Sequence, residues 1–233
     1  MNIREMHYDF KKKYNKIDSE KNRNLLVPEI DWTINEAIDL FIQLCIRPDK
    51  AKDFNGFEGD LFTTESLQPL VPPTVTIPII NNIITLPSNY YQYARCRVKM
   101  IKGKCVAEAP LIVRQHDDLF EESYLYNSSF EWREINAVFN SQGIKIFTDG
   151  TFKNVEAYLT YIRKHVLVHN AQDYVGGTYV HPSGITLTGS VNCELPEKTH
   201  RRIVDIAVLI ASGEIQASDF QAKLGKVNLN KIV

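Results

Sequence analysis

Apolar residues recur at helical spacing near the start of the chain, which predicts an amphipathic helix there. Its apolar face comprises Ile3, Met6, Phe10, Tyr14 and Ile17. Asn2 and Glu5 have the three-residue spacing of a reciprocal cap at a helix start. We therefore expect the helix to begin next to Asn2.

A second helix is predicted in the segment LVPEIDWTINEAIDLFIQLCI. Pro28 stands near its start and Pro48 past its end, and both positions suit proline. Glu29 and Asp31 fall in its first turn, where carboxylates interact favourably with the helix dipole. The apolar stripe consists of Ile30, Ile34, Ala37, Ile38, Phe41 and Cys45.

A third helix is predicted from about Pro196, in the segment CELPEKTHRRIVDIAVLIA. Its candidate core face contains Ile203, Val204, Ala207 and Val208. Neither this helix nor the second is expected to be stable alone, so we expect them to pack together.

The pattern between the helices changes to short β-type runs separated by turn residues. TVTIPIINNIITLP predicts two strands around Asn81-Asn82, and RCRVKMI with KCVAEAPLIV predicts a hairpin around Lys102-Gly103. EINAVF, IKIFT and VEAYLTYIR predict further strands, with Asp149-Gly150 as a turn.

The sequence therefore predicts an α+β fold, in which a helical unit formed by the N- and C-terminal helices carries an inserted antiparallel β-rich domain. We place the N-terminal helical part at residues 1–70 and the inserted domain at 71–195. The C-terminal helices, at 196–233, are expected to pack with the N-terminal part.

Charge and cysteine content narrow the classes of function. The 233 residues carry 27 Lys+Arg against 28 Asp+Glu, so bulk charge does not favour nucleic acid or anionic lipid. The four cysteines form no C-x-x-C pair and are interpreted as reduced, mostly buried thiols, with Cys105 expected to face residue 100 or 101. The charged first residues and the short apolar runs predict a soluble protein made in the cytoplasm, without a membrane partner.

Two groups of residues invite a metal or acid/base interpretation. His165 and His169 have i, i+4 spacing, with His181 as a conjectural third zinc ligand, but the segment is as compatible with a strand as with a helix. His116, Asp117 and Asp118 equally fit the acidic first turn of a short helix. We favour the structural interpretation of both groups.

No nucleophile elbow, phosphate-binding loop or dinucleotide fingerprint occurs in the sequence. We therefore expect no enzyme activity, catalytic residue, metal or cofactor. A hydrolase with an unrecognised site remains an alternative, and a pocket joining His116 or His165 to a carboxylate would indicate it.

A basic strand is the best-formed polar feature. Arg95, Arg97 and Lys99 alternate with apolar residues, so their side chains would share one sheet face, and Lys102 and Lys104 extend that surface through the turn. One interpretation is an ordinary solvated face. The other is a contact with an acidic neighbouring subunit or with DNA.

Aromatic residues are concentrated in the β-rich part. They are Tyr90, Tyr91, Tyr93, Tyr124, Tyr126 and Trp132. Core packing is the default interpretation, and a carbohydrate-binding platform is the alternative.

Two passages together resemble structural proteins of crAss-like phages. LVPEIDWTINEAIDLFI is similar to a helix near their N-terminus, and CELPEKTHRRIVDIAVLIA to a helix near their C-terminus. The opening, MNIREMHYDFKKKYNKIDS, is similar to the same group. The motifs are packing and capping patterns, and the resemblance brings no catalytic residue with it.

The resemblance implies a head-to-tail connector, or ring, protein of the podovirus type, located in the neck and tail region of the virion. It implies a cyclic homo-oligomer, a dodecamer, whose partners are the portal protein and other ring or tail proteins. It also implies non-specific contact with the genomic DNA that passes through the channel. The alternative function is a β-domain module that binds glycan or protein on a tail appendage.

Overall fold

The computed structural model describes residues 1–14, 24–46, 65–114 and 128–214. Three long helices lie in this part of the chain: α1 (Ile3–Tyr14), α2 (Val27–Ile46) and α3 (Glu197–Glu214). The chain divides into a helical unit, Met1–Pro69 with His165–Val233, and a β unit, Leu70–Lys164. The fold is therefore α+β, with a β-rich domain inserted between the helical ends.

The helix starts follow the predicted chemistry. The Asn2 amide donates to Glu5 Oε2 at 2.9 Å and the Glu5 amide donates to Asn2 Oδ1 at 2.8 Å, which completes the reciprocal cap of α1. Before α2, the Leu26 amide donates to Glu29 Oε2 at 2.7 Å. These bonds satisfy amides that have no partner inside the helix.

The predicted apolar faces form the core of the helical unit. Ile3, Met6, Phe10 and Tyr14 of α1 are buried, as is the whole predicted stripe of α2. On α3, Ile203, Val204 and Ala207 are fully buried and Val208 is 4% exposed. Helix α3 contacts both α1 and α2, so the two ends of the chain share one core. Ile17 and Pro48 lie outside the described residues.

The β unit is built on a seven-stranded sheet. The strands are β1 (Val75–Pro78), β2 (Ile83–Ile84), β3 (Tyr90–Lys102), β4 (Cys105–Arg114), β5 (Ile135–Asn140), β6 (Gly143–Ile146) and β7 (Lys153–Arg163). Their order across the sheet is β1-β7-β3-β4-β5-β6-β2. Every pair is antiparallel except β4 with β5, which run parallel.

The sheet is rolled, because its two edge strands are consecutive in sequence. Only residues 79–82 separate β1 from β2, and Ile80 and Ile83 exchange backbone hydrogen bonds of 3.2 and 2.9 Å. Asn81 and Asn82 both have positive φ, 51° and 59°, as a two-residue hairpin turn requires. The predicted turn is therefore present, but the strands beside it pair mainly with β7 and β6.

The core of the β unit lies against one face of this rolled sheet. It contains Cys96, Val98 and Met100 of β3 together with buried residues from the other six strands. The opposite face of β3 carries exposed Arg95 and Arg97, so the strand alternates as predicted.

The segment that follows β7 belongs to the helical unit. It contains four short strands in two pairs, β8 (His169–Asn170) with β11 (Ser190–Val191), and β9 (Thr178–Val180) with β10 (Thr186–Thr188). Ala171, Tyr179 and Leu187 from this segment pack with Val27 of α2. The β unit is therefore shorter than the expected inserted domain of 71–195, because residues 165–195 pack with the helices.

Two further details differ from, or add to, the expectations. Cys105 is exposed. It pairs with Lys102, because the hairpin turn between β3 and β4 has only two residues. The predicted pairing with residue 100 or 101 would have required a longer turn. Burial raises the pKa of the Cys96 thiol to about 12.

No helix in the described ranges is long and apolar enough to cross a membrane.

Candidate assembly interface

The basic strand presents its cations on the outer face of the β-unit sheet. Arg95 and Arg97 are exposed and Lys99 is partly exposed. Backbone register sets their neighbours: Arg97 pairs with Tyr158 on β7 and with Pro110 on β4, while Lys99 pairs with Glu156 and Glu108. The predicted surface is present, but its cations differ in what surrounds them.

Lys99 is compensated by carboxylates on both sides. Its Nζ lies 3.1 Å from Glu156 Oε2, and Glu108 faces it across the other strand. The hydrogen bond and charge of Glu156 raise the pKa of Lys99, and the same pair lowers the pKa of Glu156. Lys99 is therefore already paired and is poorly placed to attract another anion.

Lys102 is compensated by Glu131, while Lys104 is exposed in the turn. The Lys102 ammonium pairs with Glu131 at 2.5 Å and lies 5.9 Å from the centre of the Phe130 ring. These contacts link the β3–β4 hairpin to the turn at 129–134. The five predicted cations thus do not form one uniform basic surface.

Trp132 is the most exposed aromatic residue of the described part of the β unit, with 82% of its surface accessible. It lies on a braced turn: Ser129 and Glu134 exchange backbone hydrogen bonds of 2.8 and 3.1 Å, and the Trp132 amide donates to Ser129 Oγ at 3.3 Å. Arg133 adopts a positive φ of 52°, which is costly for a residue with a Cβ. The turn therefore holds an indole in solvent on a fixed backbone.

The tyrosines of the β unit are more enclosed than Trp132. Tyr90 and Tyr93 are half-buried, their rings contact Tyr161 and Phe139, and the Tyr93 hydroxyl donates to the Leu111 carbonyl. Burial raises the pKa of Tyr90 to about 12 and also raises that of Tyr93. Core packing accounts for these two residues, whereas Tyr124 and Tyr126 lie outside the described residues.

The helical unit contains a buried polar cluster that the sequence pattern did not identify. The Asp31 carboxylate, 2% exposed, receives the Asn170 amide at 3.0–3.1 Å and the Tyr179 hydroxyl at 2.7 Å. His7 Nε2 lies 2.7 Å from Asp31 Oδ1. Asp31 therefore joins α1, α2, β8 and β9. It was predicted in the first turn of α2, but the helix begins at Val27, so only Glu29 lies in that turn.

A second carboxylate extends this cluster towards the surface. Asp173 accepts the Asn170 side-chain amide at 2.8 Å and two bonds from the Arg4 guanidinium at 2.7 and 3.0 Å. The Arg4 and Asn170 bonds hold the pKa of Asp173 below its usual range. The contacts are structural: the Asp173 bonds fix α1 on the 165–191 segment, and the His7–Asp31 contact joins α1 to α2.

The three candidate zinc-binding histidines lie in different surroundings. His165 pairs with Asp39 and with the Val166 carbonyl, and His169 is buried in β8. The His181 ring lies beside that of Trp32, with the ring centres 5.5 Å apart and the planes tilted by 31°. Among the described residues, no three His, Cys, Asp or Glu side chains are grouped so that they could hold a metal ion. His116, Asp117 and Asp118 lie outside the described residues.

No family model matches the sequence, and comparison with curated proteins finds no relative. The described surface of the β unit presents two exposed arginines, an exposed indole on a hydrogen-bonded turn, and ion pairs at Lys99 and Lys102.

Proposed function

We propose that this protein is a virion structural protein that forms a ring in the head-to-tail connector and joins the portal to the tail around the DNA channel. One observation supports the proposal most. The two passages that resemble connector proteins form α2 and α3, and these helices pack on each other in one unit. The resemblance thus covers a contiguous piece of structure, although its two halves are far apart in the sequence.

The protein would act by assembly and not by catalysis. Copies would associate head to tail through heterologous contacts, which close into a ring when the rotation between copies closes. The partners would be further copies of this chain, twelve by the resemblance, with the portal protein and other ring or tail proteins. The basic outer face of the β unit would meet genomic DNA without reading its sequence.

Copy number in purified particles tests this function. Quantitative mass spectrometry should find the protein at a low, fixed ratio to the major capsid protein, equal to that of the portal protein. Its absence from particles, or a variable copy number, would contradict the connector role.

The exposed Trp132 favours a second candidate, a β-domain binding module for glycan or protein on a tail appendage. Indole rings stack on sugars and also anchor protein interfaces. A glycan panel should then raise the melting temperature of the wild type but not that of Trp132→Ala. Tyr8→Ala is the matched control, because Tyr8 is also exposed, at 72%, but lies in the helical unit. If no glycan distinguishes the two variants, the glycan form of this candidate fails.

A further inference from the structure

The helical unit carries an uncharged two-stranded ribbon, formed by the antiparallel pair β9 and β10. From Tyr174 to Cys193 the sequence contains no Asp, Glu, Lys or Arg. Exposed sheet edges are commonly protected from further pairing by charged side chains, by proline within the strand or by short length. Neither strand contains a charged residue or a proline, so the protection of this ribbon is limited to its length of three residues per strand.

One face of the ribbon is fixed on the helices. Tyr179 and Leu187 are buried on this face and pack with Val27 of α2. The Tyr179 hydroxyl also donates to the Asp31 carboxylate at 2.7 Å. The ribbon is therefore held in one orientation before any partner binds, which lowers the entropy cost of docking.

The opposite face of the ribbon is exposed. It consists of Thr178, Val180, Thr186 and Thr188, which alternate with the two buried residues. Val180 has 66% of its surface accessible. All four side chains are β-branched and suit a sheet surface. The ribbon thus presents an uncharged, strand-forming face to its surroundings.

The ladder register shows which backbone groups point away from the ribbon. The His181 amide donates to the Ile185 carbonyl at 2.8 Å. Bonded and non-bonded pairs alternate along an antiparallel ladder, so the next bonded pair contains Tyr179, and the pair of Val180 with Thr186 is not bonded. The N–H and C=O of these two residues therefore point outward, from β9 and from β10 respectively. In the described part of the chain, no hydrogen bond engages them.

Each edge of the ribbon can therefore accept a further strand through its backbone groups. A second copy of this chain carries a suitable strand, which is already formed, uncharged and of equal length. A segment that must become ordered on binding would lose part of its interaction free energy to ordering. The strand direction also fits, because in two copies placed side by side in the same orientation β9 of one lies antiparallel to β10 of the next.

We propose that the β9–β10 ribbon is a contact surface between copies of this chain, in which the free edge of β9 pairs with the free edge of β10 in a second copy. The two edges are different surfaces, so the contact is heterologous and leaves one free edge at each end of the pair. The resemblance to connector proteins implies that copies associate but assigns the contact to no residue. The inference rests on the proposed function for its place in a ring, where both edges of every copy would be used.

Sedimentation velocity of the full-length protein, over a series of concentrations up to millimolar, tests this contact. Val180→Pro removes the outward amide of β9 and Thr186→Pro removes that of β10, while the hydrogen bonds within the ribbon remain. The wild type should form dimers and larger species as its concentration rises. Each variant alone should associate at least about tenfold more weakly, because it loses an inter-strand hydrogen bond and places a proline ring at the edge.

An equimolar mixture of the two variants tests the direction of the contact. Val180→Pro retains the β10 edge and Thr186→Pro retains the β9 edge, so the mixture should form dimers and nothing larger. Val180→Thr is the matched control, because it changes the side chain but keeps the amide, and it should associate like the wild type. If the proline variants melt below the wild type, Val180→Lys and Thr186→Lys replace them, since a lysine at a sheet edge opposes pairing without removing an amide.

The inference is overturned by a wild type that stays monomeric at every concentration, by blocked-edge variants that associate like the wild type, or by a mixture that does not associate. Dimers of Thr186→Pro alone would also overturn it, because they would show a twofold contact between two β9 edges. Particle stoichiometry separates this inference from the proposed function. A portal-like copy number with no effect of either blocked edge would refute the inference alone, and pairing of the two variants by a protein absent from particles would refute the connector function alone.

Discussion

At the scale of single residues, two polar side chains lie on helix faces whose apolar spacing predicts that they point into the core. Asp31 lies four residues after Val27 and three before Ile34, on the apolar stripe of α2, and His7 lies between Ile3 and Phe10 on that of α1. Periodicity could have indicated that both point inward. It could not have named their partners, because Asn170 and Tyr179 are 139 and 148 residues from Asp31 in the chain.

Removing the Asp31 carboxylate should strongly destabilise the helical unit. Asp31→Ala leaves His7, the Asn170 amide and the Tyr179 hydroxyl buried without their acceptor, which should lower the free energy of unfolding by about 3–5 kcal/mol. Tyr179→Phe removes a single hydrogen bond and should cost about 1 kcal/mol. Urea unfolding of both variants measures their free energies of unfolding. Equal losses of free energy for the two variants would contradict the central role of Asp31 in the cluster.

The His165–Asp39 pair should make stability depend on pH. Burial lowers the pKa of His165, but the bonds to Asp39 and to the Val166 carbonyl outweigh it, so the pKa is raised above its ordinary value of 6.5. The stabilisation is therefore complete below the unfolded pKa and is lost as the pH rises through the folded one. Because Asp39 is half-exposed, the contribution should not exceed about 1 kcal/mol.

Unfolding of Asp39→Asn at pH 6 and pH 8.5 measures this dependence. The variant should be less stable than the wild type at the lower pH and close to it at the higher pH. Asp205→Asn is the control, because Asp205 is similarly exposed and pairs with Lys13, which does not titrate in this range. A pH-independent loss for Asp39→Asn would contradict the assignment.

At the scale of elements, local signals predicted the three long helices and the strands of the β unit, but not the short strands β8 to β11. Nonlocal pairing accounts for what was missed. The Asn2–Glu5 cap and the apolar stripes depend on residues a few positions apart, so the sequence contains them directly. By contrast, β1 and β2 flank a well-marked turn but pair mainly with distant β7 and β6. The carboxylates that compensate Lys99 also lie on other strands, so the alternation of β3 alone could not distinguish Lys99 from Arg97.

The closure of the β2–β6 edge should depend on Gly143. A Cβ at this residue would lie 2.2 Å from the Ile84 carbonyl oxygen, and φ is +138°. Gly143→Ala should therefore destabilise the β unit by about 2–3 kcal/mol, through steric overlap and backbone strain. Gly103→Ala is the control, with φ of +61° and nothing within 4 Å of the added carbon, so it should cost only about 1 kcal/mol. Similar urea midpoints for the two variants would contradict the close approach.

At the scale of the whole molecule, the helical unit is discontinuous in sequence and the β unit is continuous. Helices α1 and α2 reach their core partner α3 only after the chain has completed the β unit, Leu70–Lys164. The predicted end of the insertion, residue 195, was set by the start of α3. Residues 165–195 contain short strands and turns whose place in the helical unit is decided by contacts with α2, for which the local sequence has no signal.

Two buried cysteines allow the opening of each core to be followed separately. Cys45 lies in the core of the helical unit and Cys96 in that of the β unit, whereas Cys105 is exposed. In a Cys105→Ser background, Val204→Asp places an unpaired charge at a fully buried position of α3 and should open the helical core. Mass spectrometry after thiol labelling should then find Cys45 modified and Cys96 still protected, because the Cys96 core contains no residue of α1, α2 or α3. Labelling of both cysteines at the same rate would show that the two units unfold as one.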